Sequence, residues 1–152
     1  DFVFFLSYSR LLPEAMLARH RHNLVVHESA LPLGKGWSPL TWQILEGRND
    51  IPVTLFEATA DVDSGPIYLQ DTMQFEGHEL VDELRQKQAE ATLTLCKAFV
   101  DQYPAILKEA RPQTGEASYY ARRRPSDSRL DLDKSIQEQF NLLRVVDNDK
   151  YP

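Results

Sequence analysis

At 152 residues, with 42% hydrophobic and 26% charged side chains, the chain has the balance of one globular domain long enough to bury a core. A formal net charge of −6 argues against the basic footprint that nucleic-acid binding usually leaves. The longest apolar run, "FVFFL" at residues 2–6, is far too short to span a bilayer, and the single cysteine, Cys96, excludes an internal disulfide and a CxxC metal site; a reducing cytoplasm is the natural compartment.

"DFVFFLS" reads as a buried strand, short and aromatic with no polar alternation. "PEAMLARH" opens on a proline suited to a first helical turn and predicts a short helix, with His20 and His22 of "RHRH" as a solvated helix end. "NLVVH" is a second buried strand that breaks off at His27 into the loop "ESALPLGKGW". Ser38 can cap, and Pro39 can open, a helix "PLTWQILEG" that ends at Gly47 and carries Trp42 into the core. "IPVTLFEA" puts Ile51, Val53 and Leu55 on one face and "GPIYLQDTMQF" puts Ile67 and Leu69 on one face; the short connection from Thr59 to Gly65 makes the pair an antiparallel hairpin. A long helix from about Glu79 to Tyr103 carries Leu84, Ala91, Leu95 and Phe99 as its apolar stripe, with His78 on the surface before it. After Pro112 the chain turns polar and turn-rich, then ends on the amphipathic "IQEQFNLLRVV". Strand, helix, strand, helix, hairpin, helix is an α/β order around a central sheet.

The chemistry concentrates at two loops. His27 stands at the carboxyl end of a strand, where open α/β sheets place their sites. Asp63 lies 36 residues later in "ATADVDSGPIYLQ", beside Gly65, which suits a tight backbone turn. A carboxylate that reaches an imidazole fixes its tautomer and stabilises its protonated form, which is the arrangement for moving protons near neutral pH. Taken alone, such a pair is more often a histidine satisfied by a backbone carbonyl and an aspartate making a turn. Ser29, two residues after His27, invites a serine-hydrolase reading, but no G-x-S-x-G elbow exists in the chain. "ARRRP", Arg122 to Arg124, is either a solvated face or a phosphate-holding patch, and Trp37 beside Gly36 is placed to line a cleft.

"HESALPLGKG" followed by "DVDSGPI" resembles the formyltransferase fold family, whose signature is N-x-H-x-S-L-L-P-x-x-x-G followed by a D-x-G loop. "FFLSYSRLLP", "GWSPLTWQILEG" and the tail "YYARRRPSDSRLD" extend the likeness over most of the chain, the tail toward the sugar N-formyltransferases. The resemblance implies a Rossmann-like domain with a mostly parallel central sheet plus the antiparallel hairpin. It also implies transfer of a formyl group from N10-formyltetrahydrofolate, without metal, to a primary amine, that of a nucleotide-linked amino sugar. His27 and Asp63 would be catalytic, and Ser9, Arg10, Leu11, Leu12, Ala58, Thr59 and Ala60 would line the folate pocket. The chain begins at Asp1 directly before a strand and stops at "DKYP", so it reads as part of a longer protein: 1–111 as a catalytic core lacking its N-terminal strands, 112–152 as linker and C-terminal helix. Expected partners are a small-molecule substrate, with no membrane and no nucleic acid, and a homodimer is left open. Two alternatives stand beside this: a methionyl-tRNA formyltransferase relative, and a folate-binding or interaction protein impaired in catalysis.

The sequence departs from the family at one position. The family's asparagine, two residues before the histidine, is Val25 here. Asn23 is on the same strand face but, at about 3.3 Å per residue, roughly 13 Å from His27. The resemblance therefore implies another donor for the formyl oxygen: His27 itself, a backbone N–H, or a hydroxyl such as Ser7 or Ser29.

Overall fold

A computed structural model describes residues 1–8 and 10–147. Four strands form the central sheet: β1 (Phe2–Phe5), β2 (His22–His27), β4 (Asp50–Glu57) and β5 (Ile67–Gln74), in the order β1-β2-β4-β5. β1 and β2 pair in parallel, while β2–β4 and β4–β5 pair antiparallel. Three of the four strands therefore run one way and β4 runs against them, which gives the mixed α/β sheet and the hairpin at one side. A two-residue β3 (Lys35–Gly36) pairs in parallel with an equally short β6 (Tyr119–Tyr120). The helices are α1 (Glu14–Leu17), α2 (Pro39–Leu45), α3 (Val81–Gln102) and α4 (Ile136–Val145).

β4 is an interior strand, and it is buried on both faces: Ile51, Val53, Thr54, Leu55 and Phe56 are all at most 1% exposed. Its inward alternation of Ile51, Val53 and Leu55 builds the main core with Leu24 and Ile44, while Phe56 joins Ile67 and Leu31 in a second cluster on the other face. α3 lies on the main core through Leu84, Leu95 and Phe99, with Ala91 partly buried beside them. The Phe99 ring meets Phe2, Phe4 and Tyr68 edge-on at centroid distances of 5.5, 6.0 and 5.2 Å, the geometry that aromatic quadrupoles favour.

Three local expectations are corrected. Ser38 makes no side-chain cap; its backbone is left-handed (φ 51°) and Pro39 alone opens α2. His22 belongs to β2 rather than to a solvated helix end, because its Nδ1 and the Tyr68 hydroxyl both reach the Glu57 carboxylate, at 3.2 and 2.9 Å. Trp42 is only partly buried: it stacks on Tyr120 at 6.1 Å and donates from Nε1 to the Ala121 carbonyl, so it packs under the tail and not in the core.

The tail is fastened by one buried cluster. Arg144, 1% exposed, donates from Nε to the Glu79 carbonyl, from Nη2 to the Glu79 carboxylate and from Nη1 to Asn49 and Asn141. Glu79 also accepts from the backbone N–H groups of Glu76 and Gly77, at 2.6 and 2.9 Å. Burial alone would raise this carboxyl's pKa; the backbone N–H donors outweigh it and hold the value down at about 2. A depressed carboxylate pKa contributes stability above the unfolded value and loses it as pH falls through the folded one. Glu79→Gln should therefore be less stable than wild type at pH 7, and the gap should close between about pH 5 and 2, as measured by denaturant unfolding. Arg144→Met, which leaves the carboxylate without its buried partner, should cost about 3–5 kcal/mol at neutral pH.

Candidate functional site

β2 delivers His27 to its carboxyl end, paired in register with Thr54 of β4. The strand end is tied down on both sides. Gln43 of α2 donates to the Glu28 carbonyl at 2.6 Å, and the Thr54 hydroxyl donates to the Ser29 carbonyl at 2.6 Å. The following loop folds back over the histidine, and His27 Nε2 lies 2.8 Å from the Gly34 carbonyl. Only glycine fits there: its φ is +69°, and a Cβ would stand 2.9 Å from the Tyr120 ring.

Asp63 comes from the β4–β5 loop. Its Oδ2 accepts from the Gly36 backbone N–H at 2.8 Å and lies 3.7 Å from His27 Nε2. That last distance is longer than a hydrogen bond, but it makes a close ion pair whenever the imidazole is protonated. Nε2 thus faces two acceptors, Gly34 O and the carboxylate, so the surroundings favour a proton on it and leave the lone pair on Nδ1. The side chains of His27 and Asp63 are 8% and 16% exposed, a setting in which charge interactions outweigh those in bulk water. The loop is braced from below by Gln113, whose amide donates to the carbonyls of Asp63 and Gly65 at 2.8 and 2.9 Å, and by Lys35, whose Nζ donates to the Ser64 hydroxyl at 2.7 Å.

The tight turning falls on Asp63 itself (φ 45°), not on Gly65. Gly65 is needed for a different reason: a Cβ there would overlap the Glu57 carbonyl oxygen at 1.7 Å. Among the described residues three non-glycines have positive φ, Ser7, Ser38 and Asp63, and all three line one cleft of about 340 Å³. Backbone strain of this kind persists where the surroundings over-determine it, and it clusters at functional sites.

His27 and Asp63 also line that cleft, with Val25, Phe5 and Phe56 as apolar wall. Of the residues expected at a folate pocket, Arg10, Leu11, Leu12, Ala58 and Thr59 line it, Ala60 does not, and Ser9 lies outside the described residues. Ala60 sits on the exposed tip of the loop, beyond the strand end that faces the cleft. Trp37 lines it as expected. Val25 lies on its wall without a polar atom to offer, and Asn23 is committed elsewhere: its Nδ2 donates to the carbonyls of Leu17 and His20 at 2.9 and 3.4 Å. Of the two hydroxyls considered as substitute donors, Ser7 lines the cleft, whereas Ser29 Oγ is buried without a partner. Sequence reasoning missed Glu28 and Gln88, which meet at the cleft wall (Gln88 Nε2 to Glu28 Oε1, 2.7 Å), and Gln113, which no local pattern marks. Among the described residues no group of three or more His, Cys, Asp or Glu could hold a metal ion.

His27 and Asp63 thus meet at a strand end of an α/β sheet, where open sheets of this class place their sites. Residues 1–100 match the family model for formyl transferase, and the chain belongs to that family. It is 26% identical over 145 residues to a methionyl-tRNA formyltransferase of Thermodesulfovibrio yellowstonii, covering 95% of this chain and 47% of the relative, so it spans about half that protein's length. The methionyl-tRNA formyltransferase of Clostridium thermocellum superposes with a TM-score of 0.81 at 22% identity, over 99% of this chain and 64% of that one. The formyltransferase PseJ of Anoxybacillus kamchatkensis, solved with UDP-4,6-dideoxy-4-formamido-L-AltNAc and tetrahydrofolate, matches at TM-score 0.59 and 27% identity, over 79% of this chain and 64% of that one.

Gly36 supplies the N–H that holds Asp63 while its φ of +98° keeps a Cβ position 2.5 Å from the Tyr120 carbonyl oxygen. Gly36→Ala should therefore push the 118–121 segment away and free the Asp63 carboxylate. Hydrogen exchange should read this as loss of protection at Trp37 N–H, which donates to Tyr120 O, with the central sheet unchanged.

Proposed function

We propose that the protein transfers the formyl group of N10-formyltetrahydrofolate to a primary amine, that of a nucleotide-linked amino sugar. One observation carries the reading: His27 and Asp63, 36 residues apart in sequence, lie 3.7 Å apart on the wall of a strained cleft that the expected folate-pocket loops also line. The apolar residues Leu11, Leu12, Phe5 and Phe56 suit a flat pterin ring, and Arg10 suits an anionic tail. Three carboxylates, Glu28, Asp61 and Asp63, against one guanidinium give the cleft a negative potential that draws in a cationic amine, which gives up one proton to solvent before it reacts as the neutral amine.

When bound, N10-formyltetrahydrofolate supplies the formyl carbon. The neutral amine attacks that carbon through its nitrogen lone pair, a new C–N bond forms, and the bond to N10 breaks. The proton the amine sheds passes to His27 Nδ1 and from there to the departing N10, so the imidazole ends as it began. Asp63 Oδ2 balances the imidazolium in between, fixed by the Gly36 N–H. Ser7, one of the hydroxyl-bearing residues that line the cleft, would donate to the formyl oxygen in place of the family asparagine. The single free thiol suits a reducing cytoplasm.

The second reading, formylation of methionyl-tRNA, is favoured by the names of the Thermodesulfovibrio and Clostridium relatives. The net charge of −6 weighs against it. Both are separated by assaying the full-length protein with N10-formyltetrahydrofolate against a panel of nucleotide amino sugars and against methionyl-tRNA. A formylated amino sugar is expected; formylation of the tRNA alone would overturn the choice of acceptor. In that assay His27→Gln and Asp63→Asn, which keep the bonds to Gly34 and Gly36, should each lower kcat by about 10²–10⁴ with unchanged thermal stability. Val25→Asn should keep activity or raise it by restoring a donor; an inactive Val25→Asn would contradict the assignment of that wall to the formyl oxygen.

A further inference from the structure

Of the three carboxylates that line the cleft, the mechanism uses one. Asp63 is held by the Gly36 N–H, and Asp61 stands exposed on its loop. Glu28 is half-buried on the cleft wall and built into the fold at both ends. The Ser29 N–H donates to the His27 carbonyl at 2.9 Å, a three-residue turn centred on Glu28. The Glu28 carbonyl accepts from Gln43 of α2, and the next carbonyl, that of Ser29, accepts from Thr54. Its side chain is held from α3, where Gln88 Nε2 donates to Oε1 at 2.7 Å. Oε2 has no hydrogen-bond or ion-pair partner among the described residues. A tie between β2 and α3 does not need a charge, and a carboxylate drawn partly out of water with only an amide to meet it costs free energy. The family signature also leaves this position open, as the x between the histidine and the serine of N-x-H-x-S-L-L-P, so a glutamate there is not a requirement of the shared chemistry.

We infer that Glu28 selects the acceptor: Oε2 takes a hydrogen bond from a hydroxyl on the carbon next to the one that bears the reacting amine. The choice of ligand rests on the amino-sugar reading. An ionised carboxylate can only accept, so its partner must be a donor. The amine itself does not suit it, because a carboxylate that held the ammonium would favour the charged form and oppose the neutral amine that attacks. The wall that suits the pterin is apolar, with Phe5, Leu11, Leu12 and Phe56, whereas Glu28 shares its stretch of wall with Gln88. Consecutive Cα atoms stand about 3.8 Å apart, so a group bound at Glu28 lies beside the one reacting at His27. A hydroxyl one carbon away from the amine matches that spacing. A site built to bond a hydroxyl rejects the analogue that lacks it, because the carboxylate then loses its water and gains no partner.

The test uses the full-length protein with tetrahydrofolate bound, so that calorimetry reads binding without reaction. The ligands are UDP- and dTDP-linked amino-dideoxyhexoses, each with a hydroxyl beside its amine and as the analogue that is deoxy at that carbon. Wild type should bind the hydroxylated ligand of one nucleotide at least about tenfold tighter than its deoxy analogue. Glu28→Gln keeps the shape and can still accept from Gln88; it should cut that preference to about threefold or less and leave the Kd for tetrahydrofolate within about twofold. Gln88→Ala, which keeps the charge and removes its clamp, should lower the preference by about threefold. Equal binding of the two ligands by wild type, or a full preference kept in Glu28→Gln, overturns the inference. So does a loss of about tenfold in tetrahydrofolate affinity in Glu28→Gln, which would give the carboxylate to the folate. Turnover with N10-formyltetrahydrofolate separates this from the proposed function. The expected preference in binding with no sugar formylated keeps Glu28 as the selecting residue and removes the reading of the reaction, whereas formylation without preference does the reverse. If none of the ligands binds, both fall.

Discussion

The 2.8 Å hydrogen bond from the Gly36 N–H to Asp63 Oδ2 is the contact on which the site depends. It joins the loop that follows His27 to the loop of the hairpin, beside the Lys35–Ser64 hydrogen bond between the same two segments. Through it the carboxylate is aimed at the imidazole, and through Gly36 the tail strand β6 is drawn onto the same spot. The cost is visible in the backbone: glycine at Gly36 because nothing larger fits beside Tyr120, and Asp63 itself in the left-handed region. A cap of one residue would not hold such strain. Gln113 and Lys35 brace the loop from the other side, one through its backbone carbonyls and one through Ser64.

Around that contact the fold does two separable jobs. The sheet and α3 supply a rigid floor, with β4 buried on both faces and Phe99 at the junction of four aromatic rings. The segment after α3 then returns over the site instead of leaving it, with Ser118 accepting the Lys35 N–H through its carbonyl and the Gly34 N–H through its hydroxyl. Arg144 under Glu79 anchors the far end of that return. The loop after His27 and the returning tail are thus parts of one packed unit.

What was legible in the sequence was local. Period-two and helical apolar patterns gave β4, β5 and α3 nearly to the residue, and the His27 and Asp63 motifs lie at a strand end and a hairpin loop as their settings implied. What was not legible was long-range. Gly34 and Ser118 are 84 residues apart and Gln113 and Asp63 are 50 apart, and nothing in either stretch announces its partner. The same cause explains Trp42, an aromatic on an amphipathic helix that meets the returning tail instead of the core. His22 was misplaced because its neighbours are charged, while its partner Glu57 lies on another strand. At Gly65 the residue was singled out for its freedom to turn, and the structure uses its lack of a side chain.

The central claim is that one cleft brings His27, Asp63 and the folate together. A crystal structure of the full-length protein with tetrahydrofolate and a formylated amino-sugar nucleotide tests it most directly. The account predicts the pterin against Leu11 and Leu12, the formamide nitrogen within hydrogen-bonding reach of His27, about 3 Å or one water away, and Asp63 still on the Gly36 N–H. A folate bound outside this cleft, or a His27 that keeps only its Gly34 contact while the formamide lies elsewhere, would contradict it.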